Sequence, residues 1–250
     1  MSQIHFIGGE KGGVGKSVLS RLLAQYHIDR DLPFRAFDSD RSHGAMLRFY
    51  GDYSSPIALD DFSSADQLTE AAVERQQDVL VDLAAQTSLA LFKWMDENDL
   101  LGLAAEEGIS VVLWHVLDDG VDSIDLLDRL LNRYGASASY VVVKNLGRGT
   151  DFSPFEVSSA RAAAAALGAP VIELPALHAP TMRKVDHYNL SFWAAGNNKQ
   201  AGLGLMERQR VKVWTRKAYD QLDAIGESPF CQPVADPPAP VEPEVAEPAV

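Results

Sequence analysis

The chain contains a single cysteine, Cys231. That excludes a disulfide framework and a cysteine-rich metal site, and a reducing, cytoplasmic compartment is the simple expectation. Long apolar runs are missing as well. No segment approaches about 18 uninterrupted apolar residues, so no membrane span is expected. The N-terminus carries no basic-then-apolar leader, so no signal peptide is expected. His5, His27, His43, His115, His178 and His187 are scattered without zinc-like spacing. There is no Gly-x-Ser-x-Gly elbow, no evident Ser-His-Asp arrangement and no internal repeat. Basic residues are the scarcer charge, 22 Lys and Arg against 35 Asp and Glu, for a net charge of −13. Taken over the whole chain, that argues against nucleic acid as a partner. The scarcity is uneven, however. Between Arg183 and Lys217, eight Lys and Arg face only Asp186 and Glu207.

The 250 residues are 46% apolar, which suits one α/β domain with a sizeable core. From Ser228 the composition shifts to prolines and glutamates. Residues 227–250 read as an acidic, proline-rich disordered tail, leaving 1–226 as a single domain.

The chain is organised around Gly8-Gly9-Glu10-Lys11-Gly12-Gly13-Val14-Gly15-Lys16-Ser17. An apolar run, Ile4 to Ile7, precedes it and a helix-like run, Val18 to Ile28, follows. Strand, glycine-rich loop and helix in that order let backbone N–H groups converge on an anion at a helix N-terminus. Lys16 would reach the terminal phosphates of a bound nucleotide, and the Ser17 hydroxyl would ligate Mg²⁺. The alternative is a glycine turn with no ligand, but lysines are rarely placed in such a turn without an anion to meet.

Lys11-Gly12-Gly13-Val14-Gly15-Lys16-Ser17 resembles the deviant Walker A loop of the ParA/MinD ATPases, which position plasmids, chromosomes, division sites and other cargo. Glu10 departs from the usual loop, where a glycine stands. Glu10, with Arg41 and Arg48-Phe49, is similar to the MipZ-like branch. The resemblance implies a three-layer P-loop NTPase fold, a mostly parallel twisted sheet with helices on both faces. It also implies ATP and Mg²⁺ as cofactors, with Gly12, Gly13, Val14, Gly15, Lys16, Ser17 and Val18 around the nucleotide. Lys11 would cross to the phosphates of a partner subunit in an ATP-bound homodimer.

Three further elements fall at strand ends, where open α/β sheets bind ligands. Phe34 to Phe37 reads as a strand that ends at Asp38-Ser39-Asp40. The resemblance places such aspartates near the attacking water and the Mg²⁺ shell, Asp40 first and Asp38 second; a solvated acidic turn is the alternative. The apolar run after Asp78 ends in Asp82, a pattern that holds Mg²⁺ opposite the phosphate loop; a strand-end helix cap is the alternative. Ala84-Ala85-Gln86 stands where the family has a small-residue turn ending in glycine, which makes hydrolysis less secure than binding. Ser139 to Leu146 reads as a strand. In the family an asparagine near its end contacts adenine, which points to Asn145, although a plain turn residue fits equally. Pro175 follows the last strand, Pro170 to Leu174, as a family proline does before a loop close to the base.

The remaining expectations are structural. Helices are expected over Ser17–Asp31, Gly44–Tyr50, Ser64–Gln76 (capped by Ser63 or Ser64), Ser88–Asp96, Leu100–Glu107, Val121–Tyr134, Ser153–Leu167, Met182–Tyr188 and Leu203–Ile225. Ile57–Leu59 is expected as a minor strand and Ile109–Leu117 as a central one, with Trp114 and His115 as core residues.

The implied activity is slow, partner-stimulated ATP hydrolysis coupled to dimerisation, used to partition or position plasmid DNA, a chromosome or another cargo. Arg208, Arg210, Lys212, Arg216 and Lys217 are candidates for non-specific DNA contact, with a solvated helix face as the alternative. The acidic terminus argues against an anionic membrane. Two other readings stand beside this one. One is a metabolic enzyme of the amidoligase or dethiobiotin-synthetase type, and the other is a nucleotide-gated scaffold with little hydrolysis.

Overall fold

A computed structural model describes residues 2–9, 11–40 and 44–226. Glu10, Arg41, Ser42, His43 and the 227–250 tail with Cys231 lie outside the described residues, so the expectations placed on them are not addressed.

Seven strands, all parallel, form one sheet: β1 (Gln3–Gly8), β2 (Phe34–Asp38), β3 (Ser54–Pro56), β4 (Asp78–Asp82), β5 (Ser110–Leu117), β6 (Ser139–Asn145) and β7 (Val171–Leu174). Their order is β3-β2-β4-β1-β5-β6-β7. The helices are α1 (Lys16–Asp29), α2 (Ala45–Phe49), α3 (Phe62–Ala65), α4 (Gln67–Arg75), α5 (Ser88–Glu97), α6 (Leu100–Glu106), α7 (Val121–Tyr134), α8 (Ser153–Glu156), α9 (Ser159–Ala166), α10 (Ala179–His187), α11 (Phe192–Asn197) and α12 (Leu205–Gly226).

Side chains alternate across a strand, and the central strands are apolar on both sides, so the sheet needs helices on both faces. Strand β5 makes the point. Val111 and Leu113 join a buried cluster with residues of α4 to α9. Val112, Trp114 and Val116 join another with residues of α1, α2 and α10 to α12. Trp114 and His115 are both buried.

The order puts β1 between β4 and β5, where the connections turn from one side of the sheet to the other. The crevice of such a sheet opens there, beyond the strands' C-terminal ends. Register brings the site candidates level with one another: Asp82 pairs with Ile7 on one side and Asp38 on the other.

Several boundaries differ from expectation. The strand near residue 57 is Ser54–Pro56, not Ile57–Leu59. Ile57 instead donates its N–H to the Asp38 carbonyl and buries its side chain with Leu59. Two expected helices are interrupted. Ser64–Gln76 is α3 and α4, and its cap is Asp61, which accepts from Ser63 N; Ser64 Oγ accepts from Ala58 N. Ser153–Leu167 is α8 and α9 because Ser158 caps the second, accepting from Arg161 N. The helix expected from Met182 begins earlier, at Ala179, and α11 had no counterpart in the sequence reading.

Candidate nucleotide site

The loop between β1 and α1 requires glycine at two positions. Gly9 has φ 122°, and an added Cβ would sit 2.9 Å from the Val116 carbonyl oxygen. Gly15 has φ 105°, and its Cβ would meet Asn145 Nδ2 at 2.2 Å. Both are left-handed positions that cost other residues strain. Asn145 lies under the loop: its Nδ2 donates to the Val14 carbonyl at 2.7 Å, and its Oδ1 accepts from Gly147 N at 3.0 Å. The side chain expected near adenine therefore already bridges β6 and the loop backbone.

Two features of α1 invite an anion. Its first turn holds no acidic residue, and no side chain caps it. The N–H groups there and the helix dipole thus meet no negative group of α1's own first turn. Lys16 is buried at the loop's mouth, with Nζ donating to the carbonyls of Gly9 at 2.7 Å and Lys11 at 3.1 Å. An added Cβ on Gly12 or Gly13 would meet nothing within 4 Å, so that part of the loop is open.

The acidic side of the crevice comes from β2 and β4. Asp82 is buried and accepts from Ser20 Oγ at 2.9 Å. Burial first, and then the neighbouring Asp38 charge, push its carboxyl up to about 7, against hydrogen bonds from Ser17 and Ser20 and the charge of Lys16. Asp38 is also buried and is raised chiefly by burial. Its oxygens accept backbone N–H bonds from Asp40 at 2.9 Å and Met46 at 2.8 Å. Asp38 thus closes the turn into α2, while Asp40 lies farther out, half-buried at the crevice edge.

Several residues here escaped the sequence reading. Ser20 sits one helical turn after Ser17, a spacing that puts both on one side of α1. Ser39 Oγ donates to the Asp82 carbonyl at 3.1 Å and accepts from Ala84 N at 2.8 Å, locking β2 to the turn after β4. Asp118, just past β5, forms an ion pair with Lys11 at 2.8 Å. The strand-end logic that found Asp82 applies equally to Asp118. His115, beside it, is neutral: burial pushes its imidazole down to about 4, and Nε2 lies 2.9 Å from the Ser123 carbonyl.

The other candidates lie apart. The Pro175 carbonyl accepts from Trp214 Nε1 at 2.6 Å, pinning α12 to the end of β7. On α12, Arg208, Lys212 and Arg216 recur every four residues on one side, whereas Arg210 and Lys217 lie on another. Arg208 Nη1 donates to the Leu203 carbonyl at 2.7 Å. Lys212 and Arg216 line a groove with Trp193, but Asp220 and Asp223 line it too, which dilutes the positive patch.

No group of three or more His, Cys, Asp or Glu among the described residues could hold a metal on its own. Ser17 and Asp82 lie within hydrogen-bonding reach of each other, and a hydroxyl beside a carboxylate is the kind of donor pair Mg²⁺ takes when phosphate and water complete its shell. No helix among the described residues is long and apolar enough to cross a membrane.

No protein-family model matches the chain. It is similar to two Escherichia coli proteins called TraL. One is 28% identical over 240 residues, covering 90% of this chain and 98% of the relative. The other is 24% identical over 247 residues, covering 89% and 98%. Among solved structures, MinD of Pyrococcus horikoshii OT3, the septum site-determining protein in complex with Mg-ADP, superimposes with a TM-score of 0.51 at 15% identity. That match covers 90% of this chain and 98% of that one. The MinD cell division protein of Aquifex aeolicus gives 0.52 at 15% identity, covering 91% and 98%. In its seven-stranded parallel sheet with helices on both faces, the chain has the fold of these MinD structures.

Proposed function

We propose that the chain is an ATPase of the ParA/MinD kind, in which Mg²⁺-ATP binding joins two copies and slow hydrolysis separates them. The observation that carries this reading is the N-terminus of α1. It has neither a side-chain cap nor an acidic first turn, it follows a loop in which Gly9 and Gly15 leave no room for a side chain, and a buried lysine fills the mouth of that loop. A triphosphate satisfies all of these at once.

On this reading Gly12, Gly13, Val14, Gly15 and Val18 present backbone around the phosphates, and Lys16 turns from the Gly9 carbonyl to them. Ser17, Asp82 and Asp40 hold Mg²⁺, which supplies charge neutralisation for the transferred phosphoryl group. Asp40 faces the attacking water. Asp38 positions it by holding the turn, and Asn145 positions the loop through Val14. Pro175 marks the loop beside the base. Lys11 reaches the phosphates of the second copy. A partner protein stimulates hydrolysis in the cytoplasm, and the cargo is plasmid DNA, a chromosome or another cellular body. The single domain comprises residues 1–226.

DNA contact through α12 is the outermost part of the proposal, supported by the Arg208-Lys212-Arg216 stripe. Reversing Arg208, Lys212 and Arg216 to glutamate should remove an ATP-dependent, salt-sensitive DNA shift if the stripe binds phosphates. The scaffold reading has one observation in its favour. Gln86 adopts φ 69° in the turn after Asp82, a conformation glycine takes without strain. Such a turn moves less readily on loss of a γ-phosphate. Phosphate release measured with purified protein, alone and with candidate partner proteins but without any small substrate, separates these readings. Turnover supports the ATPase, binding without turnover supports the scaffold, and turnover that needs a carboxylate substrate supports an amidoligase.

A further inference from the structure

Lys11 is held by its own chain. Its ammonium lies 2.8 Å from Asp118 Oδ2. Asp118 is fixed in turn, because its Oδ1 accepts from Gly120 N at 3.1 Å and from Ser123 Oγ. The side chain of Asp118 is only 16% exposed, whereas that of Lys11 is 34% exposed and faces the crevice. Asp119 and Asp122 add negative charge around the same turn. The turn is also shaped to the lysine: a Cβ on Gly120 would fall 2.6 Å from Lys11 Nζ. Burial alone would raise the Asp118 carboxyl, but the Lys11 and Ser123 hydrogen bonds outweigh it and hold the group below the usual carboxylate range. It is therefore ionised, and remains a counter-ion, at neutral pH.

We infer that the turn after β5 is an autoinhibitory clasp, in which Asp118 holds Lys11 within its own subunit until a nucleotide triphosphate on a second copy displaces it. The inference rests on the reading of the chain as an ATP-dependent dimer. One ammonium cannot serve a carboxylate in cis and a phosphate in trans with full strength, so the pair competes directly with dimerisation. A triphosphate carries more charge than a diphosphate and competes better. The clasp would therefore sharpen the difference between the ATP and ADP states and keep a chain with little ATP monomeric. The pair is partly solvated, so its effect is a moderate one, several-fold rather than many orders of magnitude.

The test uses the full chain and three variants. Asp118→Asn keeps an oxygen for Gly120 and Ser123 but removes the charge. Gly120→Ala keeps every charge and pushes Lys11 off its seat, and at φ −84° the backbone there accepts alanine. Lys11→Ala removes the ligand of the clasp. Mass photometry across an ATP titration gives the concentration that half-dimerises the protein, and a fluorescent ATP analogue reports nucleotide binding separately. Asp118→Asn and Gly120→Ala should each lower the half-dimerising ATP concentration by about three- to tenfold. Lys11→Ala and the double variant Lys11→Ala/Asp118→Asn should behave alike and fail to dimerise. An unchanged or raised threshold in a folded Asp118→Asn or Gly120→Ala protein would overturn the clasp while leaving the ATP-dependent dimer in place. A wild-type chain that never dimerises with ATP would overturn the dimer reading and the clasp together.

Discussion

The two ends of the sheet handle buried polar groups in opposite ways. At the N-terminal end the groups are matched to one another. Asp78 accepts from Gln3 N at 2.9 Å and lies 3.2 Å from His27 Nε2. His5 Nδ1 accepts from Trp114 Nε1 at 3.0 Å, and burial pushes its imidazole down to about 4, so it stays neutral. At the C-terminal end, Asp82 is buried close enough to Asp38 for that charge to oppose its ionisation, and Lys16 donates to the Gly9 and Lys11 carbonyls. A buried like-charge pair destabilises a fold unless something else compensates. One end matches its polar groups internally; the other buries a carboxylate beside the Asp38 charge.

That contrast can be broken from either side. The largest effect is expected from Lys16→Ala, which should weaken ATP binding about 100-fold or more and also lower thermal stability, because the buried Lys16 charge offsets that of Asp82. Calorimetric titration with a parallel melting curve checks both halves. Asp78→Ala should act on stability alone. It leaves Gln3 N and His27 unmatched at a buried position, costing about 2–3 kcal/mol in denaturant unfolding, with ATP affinity per folded molecule unchanged.

Acid should act through the histidines. His5 and His115 have folded values near 4, below the usual imidazole value of about 6.5, so between those limits the unfolded chain binds more protons. Their contribution to stability is complete above about 6.5 and is lost as pH falls toward 4, at up to about 1.4 kcal/mol per pH unit for each group. Asp82 works in the opposite direction over the same range, because its folded carboxyl is raised to about 7. Asp38 is raised as well, so two imidazoles and the lowered carboxyls of Asp78 and Asp118 act against two raised carboxyls, and the net is a fall on acidification that urea unfolding at a series of pH values would measure. The smallest effect is expected from Asp82→Asn. Removing a buried charge beside Asp38 should raise the stability of the nucleotide-free protein by about 1 kcal/mol, and the same change should weaken Mg²⁺-dependent ATP binding. A stability gain without an affinity loss would place Asp82 outside the metal site.

The ligand end was more legible in the sequence than the self-contained end, for a physical reason. The phosphate loop is a local device, with glycine, lysine and serine at fixed offsets, so Gly15, Lys16 and Ser17 announce it without reference to distant residues. Strand-end reasoning then placed Asp82 and Asn145 on the same edge. What each side chain does there depends on cross-strand register, which no local pattern encodes. Asp38 reads as a group near the water and the Mg²⁺ shell, and its bond from Met46 N, which ties it to the start of α2, has no local signal. Ser39 and Ser20 matter only because Asp82 lies opposite them. Asn145 reads as a candidate base contact, and its amide donates to the distant Val14 carbonyl. Strand β3 was misplaced because Ser54-Ser55-Pro56 at a sheet edge carries no apolar signal, whereas Ile57 and Leu59 carry one and are simply buried beyond it. Helix α11 does have a local cue, since Ser191 accepts from Ala194 N at 3.1 Å ahead of Phe192 and Trp193.

The central claim is that the open, charged end of the sheet takes up ATP with Mg²⁺ and that this joins two copies of the chain. Titrating ATP into the purified protein, with and without Mg²⁺, while recording heat and molecular mass on the same sample, tests it most directly. The account predicts one ATP bound per chain, a doubling of mass that needs Mg²⁺, and neither heat nor mass change for Lys16→Ala. ATP binding with the mass unchanged at saturation would contradict the dimer, and no binding by the wild-type chain would contradict the site itself.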